Sequence, residues 1–176
     1  MKVNPEQILD RLTNGAKGFS AALLFGPDQG LISETVARSI AIFAGSPADP
    51  FLMAEVTPTQ LKEDESLLSD QLITLSMLSS RKIIVIRRAT DTILKAVETA
   101  LAIHNAPNFL LIEAGDLPPR SKLRRAFESA KNAGAAGCYA DDHQNLEKVV
   151  RQVTDLRGVR IGPEASQELI SRLGND

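Results

Sequence analysis

Between Gly26 and Ser33 the chain keeps the layout of a phosphate-binding loop and loses most of its chemistry. The segment reads Gly26-Pro27-Asp28-Gln29-Gly30-Leu31-Ile32-Ser33. A loop that cradles a triphosphate needs a second glycine five places after the first, then a lysine, then a hydroxyl residue. Those places hold Leu31, Ile32 and Ser33, so only the hydroxyl survives. Without the lysine there is no point charge to hold the β- and γ-phosphates, and Leu31 and Ile32 bring apolar bulk instead. Gly26, Gly30, Ile32 and Ser33 therefore mark a degenerate loop.

A second constellation fails in the same way. A hydrolysing enzyme of this layout ends a buried strand on an aspartate that holds magnesium, followed by a glutamate that polarises water. Here the run Phe109 to Asp116 places Glu113 and Ala114 there. Glu113 can contact a cation, or simply face solvent or a helix; Ala114 cannot activate water. No catalytic residue and no nucleotide cofactor are expected. Nor is a metal site: His104 and His143 are isolated, and neither has ligand spacing to Cys138. Cys138 sits in a short apolar run and reads as core.

The elements around these positions alternate. Apolar runs at 21–25, 51–56, 82–87, 109–113 and 137–140 read as five strands. Segments of helical period at about 4–12, 32–44, 65–78, 91–103 and 119–131 separate them. Strands joined through helices predict an α/β fold with a parallel five-stranded sheet covered on both faces. After Asp141-Asp142 the pattern is only helical, over 145–156 and 163–173, and two short helices bury little alone. The end at Leu173-Gly174-Asn175-Asp176 reads as a helix stop inside a longer protein.

Composition narrows the classes. The chain has 176 residues, 43% of them hydrophobic and 4% aromatic, and a formal net charge of −2. Bulk electrostatic attraction to nucleic acid and base-stacking platforms are both absent at that level. One cysteine allows no internal disulfide and suits the cytoplasm. No apolar run is long enough to cross a bilayer.

Two surfaces remain. In Glu65 to Lys82, Leu68, Leu72 and Leu75 fall on one stripe and should face the sheet, while Met77 and Leu78 come together at the helix end between Ser76 and Ser79-Ser80. That pair reads either as a protein-docking plug or as a closure of the core. In Pro118 to Lys131, Arg120, Lys122, Arg124 and Arg125 surround an inward stripe of Leu123, Phe127 and Ala130. They read as a solvated face or as contacts to DNA phosphates or an acidic partner. A small nucleotide-binding enzyme with an unusual site and a DNA-binding module are the alternatives the residues leave open.

The blocks LLFGPDQGLISE, LSMLSSRKIIVIRRATD, FLLIEAGDLPPRSKLRRAFE and CYADD, in this order and spacing, resemble the delta-subunit family of bacterial DNA polymerase III, in its alphaproteobacterial style. The resemblance covers essentially the whole sequence. It implies an AAA+-like first domain over 1–142, the beginning of a helical lid over 143–176, and a collar domain that is missing here. It also implies a subunit of the polymerase III holoenzyme that does not bind or hydrolyse ATP. Its partners would be the sliding clamp (the beta subunit), whose ring it helps to open, and other clamp-loader subunits, joined through the collar. DNA would be met only in the full complex. The family grips the clamp with a bulky apolar pair after a serine at a helix end; the matching positions are Ser76, Met77 and Leu78. Many members have leucine and phenylalanine there, so Met77-Leu78 lacks the ring and would rely on methionine's adaptability.

Overall fold

A computed structural model describes residues 1–45, 47–75, 81–139, 154 and 161–173. They divide into two units, Met1–Cys138 and Tyr139–Asp176. In the first, strands β1 (Lys2–Val3), β2 (Ala21–Phe25), β3 (Met53–Glu55), β4 (Ile83–Ala89), β5 (Phe109–Ala114) and β6 (Ala133–Gly137) form one sheet in the order β1-β6-β2-β5-β4-β3. Every pairing is parallel. The fold is thus α/β, a parallel sheet with helices on both faces, with six strands where the sequence predicted five.

The helices are α1 (Pro5–Thr13), α2 (Gln29–Ala44), α3 (Pro58–Glu63), α4 (Leu67–Ile73), α5 (Leu94–Leu101, after a 3-10 turn at Asp91–Ile93) and α6 (Lys122–Ser129). Strand side chains alternate between two apolar layers. Leu23, Ile84, Ile86, Leu110 and Ile112 pack with α3 to α6 through Leu61, Leu68, Leu72, Val97, Leu123 and Phe127. Leu24, Ile83, Val85, Phe109 and Leu111 pack with α1 and α2 through Ile8, Leu12, Ile32 and Val36. Burial on both faces explains why β2 and the first four residues of β4 and of β5 are unbroken apolar runs. In the second unit, α7 spans Pro163–Leu173, as its helical period predicts; the expected helix over 145–156 lies outside the described residues.

Three expectations about strands need correction. The last strand is Ala133–Gly137, not 137–140, and its composition is Ala-Gly-Ala-Ala-Gly. Such residues have poor strand propensity, but the position demands small side chains. A Cβ on Gly134 would meet Val3 Cγ2 at 2.8 Å and the Phe19 ring at 3.1 Å. Strand β3 covers only Met53–Glu55, and Phe51 is 70% exposed before it. Strand β1 is two residues long, too short to leave a periodic signal.

The start of the chain is tied to α6. The Met1 ammonium donates to the carbonyls of Phe127 (2.7 Å), Ala130 (3.0 Å) and Ala133 (2.8 Å). Phe127 and Ala130 lie at or just beyond the carboxyl end of α6, where helical carbonyls lack internal partners and a positive charge is favoured, and Ala133 opens β6.

Candidate functional site

In open parallel sheets a ligand is expected in the crevice at the strands' carboxyl ends, where neighbouring connections leave on opposite faces. Here α2 follows β2 onto one apolar layer and α6 follows β5 onto the other, so the crevice should open between Gly26 and Ala114. Backbone hydrogen bonds tie Gly26 to the chain on the β5 side, and the residues flanking it to the chain on the β6 side. Gly26 N–H donates to Gly115 O (3.1 Å), Cys138 N–H to Phe25 O (2.7 Å) and Asp28 N–H to Cys138 O (3.2 Å). Gly26 has φ 143°, and a Cβ there would stand 2.0 Å from Cys138 O. This glycine is required by the neighbouring chain, with no phosphate needed to explain it.

Helix α2 starts at Gln29, earlier than the predicted 32, so Gly30 lies in the first helical turn and only Pro27 and Asp28 separate strand from helix. Three more of the loop's donors are used locally. Gln29 N–H donates to Pro27 O (3.1 Å), Leu31 N–H to Asp28 Oδ1 (2.9 Å) and Ile32 N–H to Asp28 O (3.1 Å). A phosphate cradle works because such amides point at the ligand. In this chain a carboxylate of its own, that of Asp28, takes the place at the helix N-terminus. Ile32, in the lysine position, is 0% exposed within the α1/α2 layer, while Ser33 is exposed.

Glu113 does lie at the end of β5, but it faces a cation of the chain. Arg87 Nη1 is 2.8 Å from Glu113 Oε2, and Arg87 Nε is 3.3 Å from Glu55 Oε1. The Glu113 side chain is only 15% exposed. The register that pairs Ile86 with Ile112 places Arg87 beside it. Ala114 is buried. Among the described residues there is no group of three or more His, Cys, Asp or Glu able to hold a metal. Cys138 is fully buried, and burial, with the Asp28 charge second, pushes its thiol up to about 11. His104 is exposed in a loop; His143 lies outside the described residues.

The expected helix over 65–78 is shorter. Helix α4 ends at Ile73, and Thr74 is extended (φ −66°, ψ 116°). The cause is distant in sequence: Asn108 takes the carbonyls that would carry the helix on. Its Nδ2 donates to Gln71 O (2.8 Å) and Thr74 O (2.7 Å), and its backbone N–H to Leu72 O (3.4 Å). Leu68 and Leu72 are buried as predicted, but Leu75 is 76% exposed and Ile73 53%. Ser76, Met77 and Leu78 lie outside the described residues. At the far side of that stretch, Arg81 Nε donates to Pro107 O (3.0 Å) and Nη1 to Gly15 O (3.1 Å), with the guanidinium 5.8 Å from the Phe43 ring centre.

Helix α6 begins at Lys122, after Ser121, later than the proline-opened start at 119. Asp91 fixes that end. Its carboxylate accepts from Ser121 Oγ (2.6 Å), Leu123 N–H (3.0 Å) and Lys122 N–H (3.2 Å), which holds it below the usual carboxylate range, the Ser121 bond contributing most. Arg120, Lys122 and Arg125 are exposed. Arg124 is committed elsewhere: its Nε is 2.8 Å from Glu128 Oε1, its Nη1 donates to Leu117 O (3.1 Å), and it lies 4.6 Å from the Phe25 ring centre. Sequence reasoning missed Asp28, Arg87 and Asn108. Only Asp28 left a signal, as an acidic residue just before a helix.

No protein-family model matches the chain, and no curated protein matches it in sequence. Solved structures do. The Bacillus subtilis DNA clamp loader delta protein superposes with a TM-score of 0.68 at 16% identity, over 94% of this chain and 51% of that one. The chain shares its fold with a clamp-loader protein. A DNA polymerase III gamma subunit-related protein from Thermotoga maritima gives a TM-score of 0.52 at 15% identity, over 93% of this chain and 57% of that one. The chain spans a little over half the length of either. At these identities the likeness concerns fold.

Proposed function

We propose that this chain serves DNA replication as a clamp-loader subunit of the delta kind, which grips the sliding clamp and favours an opened ring without binding or hydrolysing nucleotide. The observation that carries the reading is the occupied loop: Ile32 sealed in the core, with the amides of Gly26, Asp28, Gln29, Leu31 and Ile32 already bonded within the chain. The likeness in fold to a clamp-loader delta protein, with the loop occupied in this way, supports a partner-binding role. The Arg87–Glu113 pair supports this, because it neutralises the acid a magnesium ion would need. In this reading residues 1–142 are the AAA+-like domain, 143–176 begin the lid, and a collar beyond them joins the other loader subunits. Arg120, Lys122 and Arg125 would meet DNA only in the assembled loader.

The grip is assigned to Ser76, Met77 and Leu78. A ring opens when a ligand prefers the relaxed subunit to the closed one, and only that difference in affinity does the work. Burying each apolar side chain in a clamp pocket contributes about 1.5–3 kcal/mol, which makes the pair a hot spot. The test is binding to the sliding clamp by surface plasmon resonance, with wild type and Met77→Ala/Leu78→Ala. Loss of binding with an unchanged unfolding midpoint is expected. Unaltered affinity removes the assignment, and collapse of the fold would return the pair to the core. Thermal stabilisation by ATP with magnesium, or steeply salt-dependent DNA affinity of the isolated chain, would overturn the wider proposal.

A further inference from the structure

A parallel sheet gathers the residues that precede its strands at one edge. At that edge, opposite Gly26 and Ala114, a cavity of about 220 Å³ opens between the segments that lead into β2, β4, β5 and β6. Ala16 and Phe19, both buried, give it an apolar side. Arg81, His104 and Lys131 give it a basic one, and no Asp or Glu stands among its described lining residues. The walls are cross-linked. Arg81 donates to Gly15 O and Pro107 O, while Asn132 Nδ2 reaches Ser20 Oγ (3.0 Å) and Leu101 O (3.1 Å). Two lining residues other than glycine hold left-handed backbone, Ala16 at φ 48° and Asn105 at φ 56°. Such backbone persists only where its surroundings over-determine it, and it collects at ligand sites.

Basic residues at this edge have a simpler use to set against a ligand. Helices α1, α5 and α6 end here, and unpaired helical carbonyls favour positive charge. Near the cavity those carbonyls are already served. Leu101 O accepts from Asn132, and Phe127 O and Ala130 O accept from the Met1 ammonium. Lys131 and His104 are surplus to that need. Among the described residues no carboxylate forms an ion pair with Arg81, His104 or Lys131. Burial lowers the Arg81 pKa, and no acid offsets it.

We propose that this cavity binds a terminal phosphate, either inorganic phosphate or the phosphate monoester of a small molecule, between Arg81, His104 and Lys131. The charge decides the class. A phosphate monoester carries about −1.5 to −2 at neutral pH with three strong acceptor oxygens, whereas a carboxylate or a phosphodiester carries a single charge. The guanidinium fork of Arg81 keeps N–H donors beyond its two carbonyl bonds, and that geometry suits phosphate. The size agrees, since drug-sized ligands occupy clefts of about 300–1,000 Å³ and this cavity takes only the anionic end of a molecule. The site lies at the other edge of the sheet from the occupied loop and does not rest on the clamp reading.

The test follows the amide resonances of Gly18, Asn105 and Asn132 by NMR as phosphate replaces chloride at constant ionic strength, and again with glycerol 3-phosphate. Wild type should show saturable shifts confined to these loops; a response to inorganic phosphate alone assigns the free ion, and a response to glycerol 3-phosphate assigns the monoester. Lys131→Gln should keep the wild-type unfolding midpoint and bind about two- to fivefold more weakly, as for an exposed ion pair. Arg81→Gln should weaken binding by about tenfold or more. If Arg81→Gln does not fold, the double variant His104→Gln/Lys131→Gln decides alone. Shifts that never saturate, that spread over the whole surface, or that persist undiminished in the double variant mark a general salt effect and overturn the proposal. A single-stranded oligonucleotide that moves the same amides at lower concentration than either phosphate reassigns the cations to nucleic acid and overturns it too.

Discussion

Restoring the missing lysine should damage this protein without giving it a nucleotide site. Ile32 is 0% exposed and packs with Ile8, Leu12, Leu24 and Val36. Removing a fully buried isoleucine side chain loses about 1.5–3 kcal/mol. An ammonium left in that layer adds a desolvation penalty of several kcal/mol unless it finds a partner or water. The lysine stem can stretch toward the surface, so the lower end applies, and Ile32→Lys should cost about 3–5 kcal/mol in total. That is a large share of the roughly 5–15 kcal/mol that stabilises a domain. Ile32→Val, which deletes one carbon, should cost only about 0.5–1.5 kcal/mol. Urea unfolding followed by circular dichroism, with and without ATP and magnesium, measures both. A bound nucleotide at a hundred times its dissociation constant would add about 2.7 kcal/mol, so even weak binding is visible. If Ile32→Lys unfolds at the wild-type midpoint and gains stability from nucleotide, the loop is open and the bonding of its amides has been misread.

Two further outcomes follow from named contacts. Arg87→Ala leaves Glu113, 15% exposed, without its cation; because Arg87 itself is 39% exposed, the pair's coupling in a double-mutant cycle with Glu113→Gln should be modest, about 1 kcal/mol, and weaker in high salt. Strict additivity in low salt would mean that the pair does not form. Asp91 has a lowered pKa, so its contribution is complete above the ordinary carboxylate value and is lost as pH falls through the folded value. The stability gap between wild type and Asp91→Asn should therefore shrink on acidification below about pH 4, and a gap that widened would contradict the hydrogen bonds drawn to α6.

What the sequence revealed depended on how local each cause was. The runs at 21–25, 83–86 and 109–112 were legible because burial on both faces writes itself as unbroken apolar residues. Ala133–Gly137 was not, because the bulk of Val3 and Phe19 selects its residues, and that constraint acts across the sheet. The end of α4 was missed for a related reason: its cap comes from a residue 34 positions beyond Thr74. At the loop, the loss of lysine could be read directly from Ile32. The close backbone approach around Gly26 could not, since it lies in contacts with Gly115 and Cys138. Likewise Glu113 was found by position, while its partner Arg87 depended on strand register.

The placement of β6 between β1 and β2 orders events during synthesis. Within this unit β1 has no strand to pair with until β6 emerges, and the Met1 ammonium finds its partners only as far along as Ala133. Until then β2 lacks one neighbour, and a paired strand edge stands open to wrong partners. The nascent chain therefore stays exposed until the final strand of this unit is in place, and the burden of protecting it falls on whatever meets it at the tunnel mouth.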